Sequence, residues 1–245
     1  MRKKEYDAMY KVEDTHFWYR GMRKISETLL EKYFLQKTNA RILDAGCGTG
    51  AGMMWLKSFG TIFGFDISQR AIYFCKKRGL KNVKLGSIEK IPYDKSHFDL
   101  VVSFDVLGQR QLKNDQTGIR EINKVLKKDG IAMIRVAAFD WLYSYHDKAV
   151  QTKHRYTKNE VRKLLQSNGF TILKISYANM FLFPISLVMR FADKALSSSH
   201  KTSDVKPVQP ILNDALYIPL WLESKLLRII SLPFGLSVIA IAKKN

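Results

Sequence analysis

Apolar residues in this chain follow two rhythms that alternate along most of its length. Unbroken runs at Arg41 to Ala45, Thr61 to Phe65, Val83 to Leu85, Phe98 to Leu107, Ile131 to Ala137, Phe170 to Tyr177 and Gly235 to Ala242 read as buried strands. The stretches between them carry helical spacing. Ile25, Leu29, Leu30 and Tyr33 make one stripe of a helix from Ile25 to Phe34. Ala51 to Phe59 suits a helix. Ser68 is placed as the N-cap of another, which runs to about Arg78 and stops at Gly79. Ile119, Ile122, Val125 and Leu126 share a face of a helix from Asp115 to Lys128. Thr157 and Glu160 form a capping box ahead of Val161, Leu164 and Leu165. Strand and helix in alternation predict an α/β fold with a mostly parallel sheet covered on both faces.

Three regions fall outside that rhythm. Residues 1–15 mix charges with Tyr6 and Tyr10 and read as a loose arm, so 1–37 is an N-terminal arm plus helix. Ala138 to Tyr156 reads as a long loop. Residues 178–232 form an insertion before the last strand: an apolar segment from Phe181 to Leu196, a polar mobile stretch from Ser197 to Lys206, and a helix from Ile211 to Leu232. On that helix Leu216, Leu220, Leu227 and Ile230 are assigned to the apolar side and Glu223, Lys225 and Arg228 to the polar side. The insertion is expected to be a helical cap on a single domain spanning 1–245, the natural size for one α/β unit.

Chemistry concentrates where the first strand ends, at Leu43-Asp44-Ala45-Gly46-Cys47-Gly48-Thr49-Gly50. Glycines at alternate positions let the backbone turn sharply and let a ligand approach it. The second strand ends in Asp66, 20 positions after Gly46, where a carboxylate reaches the two hydroxyls of a ribose. The spacing is G-x-G-x-G, not the G-x-G-x-x-G of dinucleotide sites. The acid ahead of it, Asp44, would repel a pyrophosphate but suits an amino group or a sulfonium.

In these two motifs the chain resembles class I S-adenosylmethionine-dependent methyltransferases, over roughly residues 16 to 180. The resemblance implies a Rossmann-like sheet of seven strands, with the last strand antiparallel between the fifth and sixth. It also implies S-adenosyl-L-methionine as cofactor. Asp44 would then orient the methionine amino group. Gly46, Cys47, Gly48 and Gly50 would pass close to the cofactor, Asp66 would hold the ribose, and Ile67 and Phe104 would flank it. Ser87 stands where the family usually has an Asp that accepts from the adenine amine, and Ile88 is available to the adenine face. The acceptor is expected just beyond the fourth strand, where Asp105 is a general base, an acceptor-orienting group or a helix cap. Many relatives continue there with Glu-His; this chain has Gly108-Gln109.

An oxygen acceptor needs a base, and His154, His146 and Asp105 are the candidates. The loop holding His146, His154 and Tyr156 is the expected acceptor site, since ligands of α/β proteins bind at the carboxyl ends of strands. The cluster His16, Trp18, Tyr19 and Arg20 reads either as an aromatic plug or as a lid, with Arg20 or Arg23 offered to a carboxylate.

Charge widens the range of partners. The 245 residues carry a net charge of +19, spread along the chain, which attracts nucleic acid, anionic lipid or an anionic substrate unless it only reflects a basic proteome. Two cysteines, Cys47 and Cys75, give no zinc or disulfide framework and suit a reduced cytoplasmic protein. No metal cluster is evident and no signal peptide is expected. Ile175 to Met189 is short for a membrane span and contains Pro184. The expected activity is methyl transfer to a small-molecule acceptor, lipidic or glycan-linked, with a peripheral membrane contact through 178–232. RNA methylation and a cofactor-binding protein without catalysis are the alternatives.

Overall fold

The structure, a computed structural model, describes residues 1, 3–34, 39–195 and 207–245. The polar stretch Ser197 to Lys206 lies outside the described residues.

Seven strands form one sheet: β1 (Arg41–Ala45), β2 (Thr61–Asp66), β3 (Val83–Leu85), β4 (Phe98–Phe104), β5 (Leu126–Ala137), β6 (Phe170–Ala178) and β7 (Ser237–Lys244), in the order β3-β2-β1-β4-β5-β7-β6. β7 runs antiparallel between β5 and β6, and the remaining pairs are parallel. The chain winds outward from β1 to β3 and then returns to place β4 beside β1. That reversal opens a crevice at the carboxyl ends of β1 and β4, where ligands of such sheets sit.

Period-two alternation feeds two cores. Ile42, Leu100, Val102, Met133 and Ile241 face one side, while Leu43, Val101, Ala132, Ile134 and Ala240 face the other. The helices are α1 (Lys3–Val12), α2 (Phe17–Tyr33), α3 (Ala51–Leu56), α4 (Gln69–Lys77), α5 (Asp115–Val125), α6 (Tyr145–Val150), α7 (Lys158–Gln166), α8 (Phe183–Ala195) and α9 (Pro210–Ile229). α2, α3 and α9 cover the first face, and α5 and α7 the second. The Thr157–Glu160 capping box is formed, and Gly79 follows α4 at φ +75°.

Four stretches depart from the sequence pattern. Residues 3–12 are a helix, not a loose arm. Tyr6 packs with Ala71 and Phe74 of α4, and Tyr10 stacks on Phe74 at 4.3 Å. α5 stops at Val125 and β5 begins at Leu126, which pairs with Phe98. The buried Asp99 draws Lys127 Nζ to 2.7 Å and so pulls this turn onto the sheet. The loop after β5 contains α6. On α9, Glu223 is fully buried instead of lying on a polar face. Its carboxylate accepts from the backbone N–H groups of Asn179, Met180 and Phe181, the turn that launches α8.

α8 and α9 stand between β6 and β7, and α9 runs alongside α2. Asn213 Oδ1 accepts from Phe17 N at 2.7 Å near one end, and Lys32 Nζ donates to Arg228 O at 2.6 Å near the other. The two helices touch at Gly21. A Cβ there would fall 2.2 Å from Leu220 Cδ1, so a larger residue would force them apart.

Candidate functional site

The loop after β1 is held in shape by its own backbone. Gly46 N and Cys47 N both donate to Phe65 O at 2.9 Å, which ties the turn to β2. Gly46 and Gly50 sit at φ +88° and +90°, a region costly to other residues, and a Cβ on Gly46 would lie 2.3 Å from Val106 Cγ2. The chain then enters α3 at Ala51.

Three carboxylates gather around this loop. Asp44 is 3% exposed, and no hydrogen-bond partner for its side chain occurs among the described residues. Burial first, and the nearby Asp66 charge second, push its carboxyl up to about 7, against the pull of Arg135. Asp66 accepts from Gly48 N at 3.0 Å, Ser68 N at 2.9 Å and the Tyr6 hydroxyl at 3.2 Å. Burial still raises its carboxyl above the ordinary value. Glu13 accepts from the Thr49 hydroxyl and from Arg78 Nη2, and burial raises it as well. A buried acid without a donor is costly unless a cation supplies one. A positively charged ligand with an amino group or sulfonium therefore fits this loop, and an anionic phosphate does not.

α1 lies against the loop, a contact that the sequence pattern did not anticipate. Tyr6 meets Asp66, and Met9 Cε would lie 3.1 Å from a Cβ on Gly48. Asp7 pairs with Arg70, and Arg78 joins Glu13 and Asp14 to the loop carbonyl of Thr49.

The cluster at the start of α2 divides. His16 caps the helix, its Nδ1 accepting from Trp18 N at 3.2 Å, and burial lowers the imidazole's proton affinity. Arg20 is taken by Asp214 at 2.6 Å and lies 4.4 Å from the Tyr217 ring centre. Arg23 is taken by Glu27. Both arginines are thus bound within the protein, because α9 and the next turn of α2 bring acids to them. Trp18 instead faces Arg135, whose guanidinium lies 5.2 Å from the Trp18 ring centre and 4.7 Å from that of Phe104. Tyr19 stands near the same pair, its phenol raised by burial first and then by the charges of Glu13 and Asp105.

Asp105, just past β4, adopts φ +59°, a strained setting for a non-glycine residue. Its Oδ2 receives both Arg135 Nε at 3.0 Å and Nη2 at 2.6 Å. Asp105 is therefore paired, with its side chain still 36% exposed.

The loop after β5 is held by ion pairs and hydrogen bonds of its own side chains. Arg155 Nη1 and Asp147 Oδ1 make a buried pair at 2.7 Å, and Arg155 Nε donates to Ala138 O. The Tyr156 hydroxyl donates to Asp115 Oδ2 at 2.5 Å, and Tyr156 is buried. His154 lies between two acids, Asp140 Oδ2 at 2.9 Å from Nδ1 and Glu160 Oε1 at 3.4 Å from Nε2. The Asp140 carboxylate at Nδ1 fixes the orientation of the ring. His146 sits half-buried on α6.

On the far side of the loop, the Ser87 hydroxyl accepts from Glu89 N at 3.2 Å within its own turn. Ile88 is buried in the α5 core against Gly118, not at the mouth, whereas Ile67 is half exposed beside Asp66. Cys47 lies in the loop with its Sγ 3.7 Å from Cys75 Sγ, a contact that spacing alone does not reveal. Sequence reasoning missed Arg135, Tyr6 and Glu13. The signal for Arg135 was present: a lone charge inside the run Ile131 to Ala137 must find a partner when that strand is buried.

A family model described as a methyltransferase domain matches residues 36–177. An uncharacterised protein of Methanocaldococcus jannaschii is 33% identical over 135 residues, 55% of this chain and 51% of that protein. A second uncharacterised protein of the same organism is 34% identical over 160 residues, 64% of each chain. The chain thus spans about half of one relative's length and under two thirds of the other's. A solved structure from Thermotoga maritima, described as a SAM-dependent methyltransferase and possible histamine N-methyltransferase, superposes with a TM-score of 0.62. The identity is 18%, with 99% of this chain and 96% of that one covered; likeness at that level concerns the fold.

Proposed function

The chain belongs to the class I S-adenosylmethionine-dependent methyltransferase family, and from that premise we propose that it methylates a small-molecule acceptor, lipidic or glycan-linked. The observation that supports the cofactor half of this reading is the Asp44 carboxylate, 3% exposed under a glycine loop with Asp66 and Glu13 close by. When bound, S-adenosyl-L-methionine supplies a methyl group on a sulfonium, ready for in-line displacement. Asp44 would hold its amino group. Gly46, Cys47, Gly48 and Gly50 would bring the backbone alongside, and Asp66 would receive the ribose hydroxyls in place of Tyr6. Ile67 and Ser87 are the residues available to the adenine.

The acceptor enters at the carboxyl end of β4, beside Trp18, Tyr19 and Phe104. Asp105 still has Oδ1 to orient the acceptor or to take its proton, while Arg135 fixes the other oxygen. His154, held between Asp140 and Glu160, is the other candidate for that role. Trp18 and Phe104 exclude water from the nucleophile and leave the reacting groups in fixed register. We read the protein as cytoplasmic, touching a membrane peripherally through 178–232.

The test is transfer of a labelled methyl group from S-adenosylmethionine to cell extract separated into RNA, polar small-molecule and organic-soluble fractions. Label in either small-molecule fraction, lost in Asp105→Asn, supports the reading. Label in RNA alone refutes the acceptor class.

A further inference from the structure

The insertion turns outward an apolar face that core packing does not explain. Of the 20 large hydrophobic residues exposed among those described, 13 lie between Phe181 and Phe234, so the exposure is localised to the insertion. On α9 the buried side is Leu220, Glu223, Ser224 and Leu227, which includes two polar residues. The opposite side carries Ile211, Ile218, Leu222 and Ile229, spaced so that they fall on one stripe. Ile211 is 89% exposed and Ile229 78%. α8 repeats the pattern with Ile185, Val188 and Met189.

Toward the C-terminal half of α9 the exposed charge beside this stripe is basic. Lys225 lies within it, its Nζ 5.6 Å from the Trp221 ring centre, and Arg228 is beside it, exposed. Of the two acids of α9, Glu223 is inside the protein, and Asp214, near the other end, is exposed but paired with Arg20. A helix with Trp, Leu and Ile on one face and cations at its margin suits the boundary between headgroups and acyl chains. The net charge of +19 makes a second copy of the chain a repelled partner and an anionic surface an attracted one. No helix among the described residues is long and apolar enough to cross a membrane. α8 also starts where β6 ends, at the same end of the sheet as the glycine loop, because β6 and β5 both run antiparallel to β7.

We infer that α8 and the outer stripe of α9 form a pad that seats the protein on an anionic lipid bilayer, with Lys225 and Arg228 at the phosphates. The inference deepens the peripheral-membrane part of the proposed function and does not depend on methyl transfer. The crevice then opens near the bilayer surface, within reach of an amphipathic acceptor.

The experiment is flotation of the full chain with vesicles of phosphatidylcholine, alone or mixed with phosphatidylglycerol. Strong binding to the mixed vesicles that weakens with salt is expected, with weak binding to the neutral ones. The double variant Ile218→Asp/Ile229→Asp should lower the partition coefficient at least about a hundredfold, tenfold per side chain withdrawn from the acyl boundary. Lys225→Glu/Arg228→Glu should lower binding to the anionic vesicles about tenfold or more and leave neutral vesicles unaffected. Circular dichroism and donor affinity, unchanged in both variants, certify the fold. Equal binding to neutral and anionic vesicles overturns the inference, as does no binding to either or full binding by the Asp variant. A wild-type dimer that the Asp variant converts to a monomer, without flotation, would make the face a contact between copies. Vesicle binding without any donor binding would leave the pad standing and remove the methyltransferase reading.

Discussion

Replacing Asp44 by Asn should make the ligand-free protein more stable and its donor binding far weaker. The Asp44 carboxyl moves from an ordinary 3.8 to about 7 because it is buried without a donor. That rise corresponds to a ceiling of about 4 kcal/mol. The direction follows from the raised value. The folded state holds this proton more tightly than the unfolded chain, so the contribution to stability is complete below about pH 4 and is lost as pH rises through about 7. Asn removes that loss but leaves a buried amide short of partners, at about 1–2 kcal/mol. The net expectation at about pH 8 is a gain near 2 kcal/mol, or roughly 4–8 °C in melting temperature for a chain of this size. At about pH 4 the gap should close. Donor affinity should fall about a hundredfold, the loss of one charged pair in a dry setting. Thermal melts from acid to neutral pH, with and without S-adenosylmethionine, measure both effects. A variant that melts at or below wild type at about pH 8, or a gap that ignores pH, would refute the view of Asp44 as an uncompensated acid. Undiminished donor affinity would refute its role toward the amino group.

Other predictions bear on neighbouring groups. Asp66→Ala should weaken the donor about ten- to a hundredfold by calorimetry, as expected for a charge-assisted pair of hydrogen bonds; unchanged binding would remove the ribose role. Tyr6→Phe deletes the hydroxyl that holds Asp66 in the free protein and should tighten donor binding about fivefold, one net hydrogen bond. Weaker binding would show instead that Tyr6 touches the donor. Asp147→Ala strands Arg155 in the interior and should cost about 3–5 kcal/mol of stability in chemical denaturation. An unaltered midpoint would mean that the pair does not lock the loop.

Much of the fold was legible because the strands are short, apolar and bounded, and because Gly79 and the Thr157–Glu160 box mark helix ends. The cofactor loop was legible for the same reason: alternate glycines between acids constrain backbone and charge within ten residues. What could not be read depends on contacts distant in sequence. Tyr6 and Tyr10 look like stray aromatics until Phe74 is set beside them. Glu223 looks like a surface acid until the turn at Asn179 to Phe181 presents three N–H groups to it. His154 and Tyr156 stand out as polar aromatics in a loop, and only the fold shows that Asp140 and Asp115 sit against them. Composition identifies residues able to do chemistry, and only the fold shows which already have partners.

The account rests on the glycine loop taking a cationic adenosyl ligand. The direct test is calorimetric titration of the protein with S-adenosylmethionine, S-adenosylhomocysteine and NAD in parallel at about pH 8, above the raised Asp44 value. Saturable binding of the two adenosyl-sulfur ligands, weakening as pH falls below about 7 and absent for NAD, is the predicted result. Binding of NAD alone, or of none of the three, would contradict it.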